Sequence, residues 1–292
     1  MYLKIYSAYS LIVFPLVVQS AFENNFIAKN NVTLFAIVAH LLVSIFLFVY
    51  AKKHEDVKTI KSEVIAQCDQ PISKRKTLVK VSDWIFIVIV YFNQQLLVEQ
   101  LPFWGYIIAT TLNVSLIFMI MYPLVIESNY GFKQSPWLTR LTLPIILYVV
   151  YIFLSMGYSS LLEFLKVLPE TSSENQQLLE ALIISNPVRM IFSAVLVAPI
   201  MEEWIYRGLG FRTLIHRNKF LAYFTSFLVF GFIHVGAGLI SGNGLSEFLF
   251  LPAYGLSGII FGYSYEKTGS IYFAMAVHLL NNLVATLSIL LT

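Results

Sequence analysis

Residues 141–162 read Leu141-Thr142-Leu143-Pro144-Ile145-Ile146-Leu147-Tyr148-Val149-Val150-Tyr151-Ile152-Phe153-Leu154-Ser155-Met156-Gly157-Tyr158-Ser159-Ser160-Leu161-Leu162, with no charged side chain among them. A hydrocarbon core about 30 Å thick takes roughly 20 helical residues to cross, so this stretch is long enough. Working outward, similar runs occupy 5–22, 32–50, 82–101, 104–126, 187–209, 219–238, 249–265 and 270–291. The first is weak and the run at 249–265 is Gly-rich, so the expectation is eight or nine spans. The runs are continuous rather than alternating, which favours helices over a period-2 barrel. The predicted fold class is therefore all-α, a polytopic helical membrane protein.

The whole chain agrees. Of 292 residues 58% are apolar or aromatic and 12% are charged, against about 25% charge in a soluble domain. So little charge cannot cover a soluble surface of this size, which argues against a soluble enzyme, a disordered chain and a secreted disulfide scaffold. Cys68 is the single cysteine, so neither an internal disulfide nor a thiolate metal cluster can form. A net charge of +3 is too small to suggest a nucleic-acid partner; the partner it implies is the lipid bilayer. The 15% aromatic content has no spacing that marks a cofactor site.

Charge placement predicts topology. The 52–80 loop carries Lys52, Lys53, Lys58, Lys61, Lys74, Arg75, Lys76 and Lys80, and the positive-inside bias makes it cytoplasmic. We read this run as a topology signal with some anionic-lipid contact. Counting spans from it puts 163–186 outside, where Glu163, Glu170, Glu174 and Glu180 outnumber Lys166. The next crossing returns Arg207, Arg212, Arg217 and Lys219 to the inside, and the last begins at Glu266-Lys267 and ends outside at Thr292. Val18-Gln19-Ser20 before Ala21 is a passable cleavage site, but retention of 1–22 as a first span is expected.

Polar residues within the apolar runs concentrate in one part of the chain. Few ionisable groups interrupt the runs of 1–186, whereas 187–292 carries Glu202, Glu203, Arg207, His234 and His278. This shift marks the boundary between a variable N-terminal region, 1–186, and a core, 187–292. Ionisable groups in hydrocarbon are costly and point to function. In Met201-Glu202-Glu203-Trp204-Ile205-Tyr206-Arg207 the adjacent carboxylates point about 100° apart on a helix. Glu203 and Arg207 stand i and i+4 with the acid first, the favourable order for a pair, which leaves Glu202 to face something else. Phe230 and His234 share a face, as do His278 and Asn282; Asn281 points elsewhere.

Each of these segments alone has a bland reading: a headgroup-seeking glutamate, a packed histidine, or polar contacts between membrane helices. Together they place a carboxylate, two imidazoles and an amide on three helices. A carboxylate and an imidazole can take a proton from water; an imidazole and an amide can donate to an oxyanion. The same groups are able instead to hold one divalent metal such as zinc, with Glu202, His234 and His278 as ligands. Peptide-bond hydrolysis within a membrane calls for such groups.

Glu202-Glu203-x-x-x-Arg207, Phe230-x-x-x-His234 and His278-x-x-x-Asn282 resemble the three motifs of the CPBP intramembrane protease family, also called the type II CAAX protease and bacteriocin-processing (Abi) family. Arg207-Gly208, Gly231, and Gly258 and Gly262 ahead of Thr268-Gly269-Ser270 match as well, and the likeness covers roughly 187–290. It implies a CAAX-protease-like catalytic core in the C-terminal third and an integral-membrane endopeptidase acting on a membrane-associated peptide or lipoprotein. Bacterial relatives are linked to pheromone maturation, bacteriocin immunity and secretion. By position it implies Glu202 as base with His234, Glu203 and Arg207 as support, and His278 with Asn282 at the oxyanion. It leaves metal-assisted and metal-free versions both open.

Depth raises a difficulty. At about 1.5 Å per residue, Glu202 would lie about 8 Å from the inner face of the core, while His234 lies roughly 23 Å from Lys219. Straight helices would not bring the two together; a juxtamembrane start to the 219–238 helix is expected to remove the offset. Of the remaining features, His40 is expected to be packed, and His54 and His216 solvated. Gly236, Gly238, Gly242 and Gly244 are expected to form a reentrant turn, with a flexible gate as the other reading. A non-enzymatic scaffold or immunity protein is the alternative function. A proton-relaying transporter is a third, against which stand the confinement of ionisable groups to one third of the chain and the lack of an inverted repeat.

Overall fold

The computed structural model describes residues 57–76, 84, 85, 87, 88, 90, 91, 94, 103–242 and 244–291. All regular elements among them are helical. They are α1 (Val57–Ile65), α2 (Phe103–Ile120), α3 (Tyr122–Gln134), α4 (Trp137–Phe164), α5 (Glu174–Ser185), α6 (187–215), α7 (Lys219–Ser241), α8 (Gly244–Thr268) and α9 (Ile271–Leu291). Four described helices are long and apolar enough to cross a membrane: Trp137–Phe164, Lys219–Ser241, Ser246–Thr268 and Ile271–Leu291. The expected spans at 5–22 and 32–50, most of 82–101, the Ala21 cleavage site, His40 and His54 lie outside the described residues, and the expectation of eight or nine spans rests partly on them.

The chain forms two units. One takes in 1–63 and 79–123, the other 64–78 and 124–292. In the first, Gln94 is the polar centre. Its amide donates to Thr110 Oγ1 at 2.9 Å and its carbonyl accepts from Asn113 Nδ2 at 3.0 Å, all three side chains being buried. Such bonds between apolar helices satisfy groups that hydrocarbon cannot.

The second unit is built on two antiparallel hairpins that share α7. The α6–α7 hairpin turns at Asn218, whose side chain caps α7 by accepting from the Leu221 N–H at 3.0 Å. The α7–α8 hairpin turns at Gly242, whose φ of 105° suits glycine. This corrects the expected reentrant turn: Gly236 and Gly238 are helical. α7 and α8 pack closely because small residues face the neighbouring backbone. A Cβ on Gly258 would lie 2.5 Å from the Ser226 carbonyl oxygen, and the Gly258 carbonyl accepts from Ser226 Oγ at 2.9 Å. Gly258→Ala is expected to force the helices apart and lower stability by about 1–3 kcal/mol, the range for overpacking; a fall in Tm in detergent checks this.

The expected single span at 187–209 takes a different form. α6 runs on to Ile215 and alternates α-helical turns with π-helical segments at Ile191–Val197 and Trp204–Phe211. Pro199 has no N–H for the Val195 carbonyl, a break that a π turn absorbs.

At one end of this unit a buried ionic joint gathers four segments. Glu127, on α3, meets Arg75 at 3.2 Å and Arg212 at 3.1 Å, and accepts the Tyr265 hydroxyl at 3.1 Å. The two arginines also hold backbone: Arg75 donates to Cys68 O and Gln70 O, both at 2.7 Å, and Arg212 to Ile72 O at 2.7 Å. The 64–76 stretch is thereby fastened to α6 and α8. Gly269, at φ 66°, ends α8 and lets Arg75 approach to about the distance of a missing side chain. Glu174, Ser241 and Glu247 meet at the opposite end, so the segments expected inside and those expected outside gather at different ends.

His216 is part of the joint rather than solvated as expected. Its Nδ1 bonds the Ser73 carbonyl at 2.8 Å, and its Nε2 faces Arg212 Nη1. Since Arg212 has only donors, Nε2 is the acceptor and the ring is neutral. Burial, chiefly, holds the His216 pKa below the ordinary 6.5. The unfolded chain therefore binds the proton first as pH falls, and the ring's contribution to stability, full above 6.5, is lost as pH falls through the lowered folded value. Proteolysis within 64–76 is expected to quicken between pH 7.5 and pH 5, and His216→Gln to flatten that dependence.

Candidate active site

The α6–α7 hairpin sets the register of the site. Phe211 packs edge-on against Tyr223 at 5.0 Å between ring centroids, and Tyr206 against Phe230 at 5.7 Å. Continued by one turn, that antiparallel register brings Glu202 to His234, which stand equally far from Asn218 along the chain. The expected offset in depth thus disappears, because α6 continues helically past 209 to Ile215. The start of α9 is buried too: Ser270 and Ile271 are fully enclosed, and the Ile271 N–H donates to Ser128 Oγ at 3.3 Å.

The two adjacent glutamates have different surroundings. Glu203 is fully buried; its Oε1 accepts from His278 Nδ1 at 2.9 Å, and its Oε2 is ion-paired with Arg207 Nε at 3.1 Å. Arg207, also fully buried, donates from Nη2 to Gly258 O at 3.1 Å, and its guanidinium carbon lies 5.0 Å from the ring centroids of both Phe230 and Phe261. The expected i, i+4 pair is therefore present and ties α6 to α7, α8 and α9. His278 stacks on Phe261 at 4.8 Å and 20°, with Phe230 edge-on at 5.5 Å.

Glu202 takes no part in this network. Its Oε2 is shielded from solvent and has no hydrogen-bond partner among the described residues. Its charge acts on both His234 and Arg207. Nδ1 of His234 bonds the Phe230 carbonyl at 2.8 Å. That bond makes Nδ1 the donor and leaves the Nε2 lone pair available. The ring lies 4.6 Å from Phe230 and stacks on Tyr254 at 4.8 Å and 18°. Asn282, expected at the oxyanion, donates from Nδ2 to Ala194 O at 2.8 Å, in the first π segment, and accepts from Asn281 at 3.2 Å. One amide N–H of Asn282 remains for other use.

A metal ligand set is not assembled. Among the described residues no three His, Cys, Asp or Glu side chains gather where they could hold an ion. Glu202, His234 and His278 in this arrangement do not fit a preformed zinc site.

Residues 184–284 match the family described as Type II CAAX prenyl endopeptidase Rce1-like. Over this stretch the chain is similar to that family. The matched stretch contains Glu202, Glu203, Arg207, His234, His278 and Asn282, in agreement with the resemblance read from the motifs. A curated relative, the UPF0177 protein YvdC of Lactococcus lactis subsp. lactis (strain IL1403), is 29% identical over 182 residues, 60% of this chain and 65% of that protein. The match thus spans a little under two thirds of the relative's length. No solved structure matches.

The sequence reading missed three features of the candidate site: the π segments on either side of Glu202, the α5 helix, and Tyr254. Pro199 was a signal for the first. α5 showed itself in the cap Ser173, whose hydroxyl accepts from the Gln176 N–H at 3.2 Å. Tyr254, one tyrosine among 17, has no local signal.

Proposed function

We propose that this protein is an intramembrane endopeptidase that hydrolyses a peptide bond in a membrane-associated peptide or lipoprotein. The observation that supports it best is the contrast between the two glutamates: Glu203 is ion-paired with Arg207 and hydrogen-bonded to His278, while Glu202 has a shielded oxygen without a hydrogen bond and lies within electrostatic reach of His234. A structural carboxylate finds partners; an unpaired one in a low-dielectric site is poised to take a proton.

In this reading Glu202 is the base and His234 Nε2 orients the water. The water proton passes to Glu202 as its oxygen attacks the scissile carbonyl, giving a tetrahedral oxyanion. Glu202 then returns the proton to the leaving amine and the carbon–nitrogen bond breaks. His278 donates to the oxyanion from Nε2 as an imidazolium, since its Nδ1–H is given to Glu203. The free N–H of Asn282 is the second donor. Arg207 pairs with Glu203 and fixes the helices, and no step passes through a metal. The 187–292 part is the catalytic core, 1–186 the variable region, and the 52–80 side is cytoplasmic.

The test is a comparison of membrane peptides by mass spectrometry between cells making the wild-type chain and cells making Glu202→Ala. Peptides that shorten only with the wild type are expected; identical peptide sets would overturn the proposal. Once a substrate is known, titration of purified enzyme with a chelator is expected to leave cleavage intact.

A second reading has its own support. Glu203–His278 and Asn282–Ala194 are contacts between helices, as a non-catalytic scaffold would keep. It predicts that Glu202→Ala unfolds or depletes the protein, where the protease reading predicts loss of cleavage at wild-type abundance.

A further inference from the structure

We propose that Tyr254 is the positioning residue for His234, and that it couples the imidazole to the cap of α5. The hydrogen bond from His234 to Phe230 O secures one edge of the ring and sets its tautomer. It does not by itself fix the ring plane, because the second side-chain torsion of histidine has a broad, two-fold profile. A flat partner supplies that restraint. Tyr254 lies nearly parallel to His234, 18° between planes and 4.8 Å between centroids.

Tyr254 is itself held from outside its helix. Its hydroxyl lies 2.8 Å from Ser173 Oγ and 3.5 Å from Asn175 Nδ2. Ser173 caps α5, and the next residue, Glu174, donates its N–H to the buried Glu247 at 2.6 Å. Glu247 in turn sits where a Cβ on Gly238 would stand, one turn beyond His234 on α7. The tyrosine is thus braced between the ring it faces and a segment about 80 positions earlier in the chain.

This rests on the protease reading only for its kinetic consequence, and two measurements separate the two. The full chain, with ring-labelled histidine, is studied by NMR in detergent micelles, and the His234 ring-proton resonance is assigned by its absence in His234→Gln. That resonance is expected to be ring-current shifted in the wild type, to move toward the free-histidine position in Tyr254→Leu and to stay in Tyr254→Phe. His278, packed on Phe261, should stay in both variants. An unmoved His234 resonance in Tyr254→Leu overturns the proposal; so does joint movement of His234 and His278 in both variants, which would mark a general packing role.

On a peptide identified by the membrane comparison above, Tyr254→Leu is expected to lower kcat about tenfold without changing KM, short of the roughly 10²-fold that a 1 Å misplacement can cost. Tyr254→Phe should recover most of it. A loss confined to KM would overturn the positioning role. If the wild type cleaves no peptide, the protease reading falls while the ring shift still decides the role of Tyr254.

Discussion

Glu202→Gln is expected to lower kcat by about 10²–10⁴-fold, the usual contribution of a positioned acid or base, while leaving the folded protein at wild-type abundance. The side chain keeps its shape and loses only its ability to carry the proton. Its Oε2 makes no hydrogen bond among the described residues, so no partner is orphaned and the change in stability should be within about 1 kcal/mol. Cleavage rates and Tm of the purified variant check both halves. Wild-type cleavage by Glu202→Gln would end the mechanism; a collapse of Tm would instead assign the residue to the scaffold.

Glu203→Gln, one residue away, is expected to do the reverse. It removes the carboxylate ion-paired with the fully buried Arg207 and leaves a single amide oxygen where two carboxylate oxygens face Arg207 and His278. Breaking one side of a buried pair leaves an uncompensated charge and costs about 3–5 kcal/mol. Arg207 also holds Gly258 O, and its guanidinium lies over Phe230 and Phe261, so the damage should spread to α7 and α8. Thermal unfolding in detergent is expected to show a large fall in Tm. The double variant Glu203→Met with Arg207→Met should be less destabilised than the sum of the single variants, because both charges go together. Purely additive losses would show that the pair is not coupled.

The contrast between these neighbours marks how far reading along the chain can go. Composition and uncharged runs determined the solvent, and with it the helical class, because only helices or closed barrels satisfy the backbone in lipid. Spacing alone paired Glu203 with Arg207, since residues i and i+4 meet on any helix regardless of what surrounds it. The order of the three motifs was enough to point to the family that 184–284 matches.

What the tertiary structure decided lies between segments. That His278 turns to Glu203, that Asn282 spends one N–H on Ala194, that Arg75 and Arg212 clamp part of a loop read as a topology signal with some anionic-lipid contact, and that Tyr254 faces His234 all depend on the phase and depth at which helices meet. Phase is altered by the π turns around Glu202, and depth by where each helix ends; six further residues of α6 were enough to bring Glu202 level with His234. A residue's own neighbours encode its helix. They do not encode the rotation and register of another helix tens of residues away, because those are settled only when all the packed faces are satisfied at once.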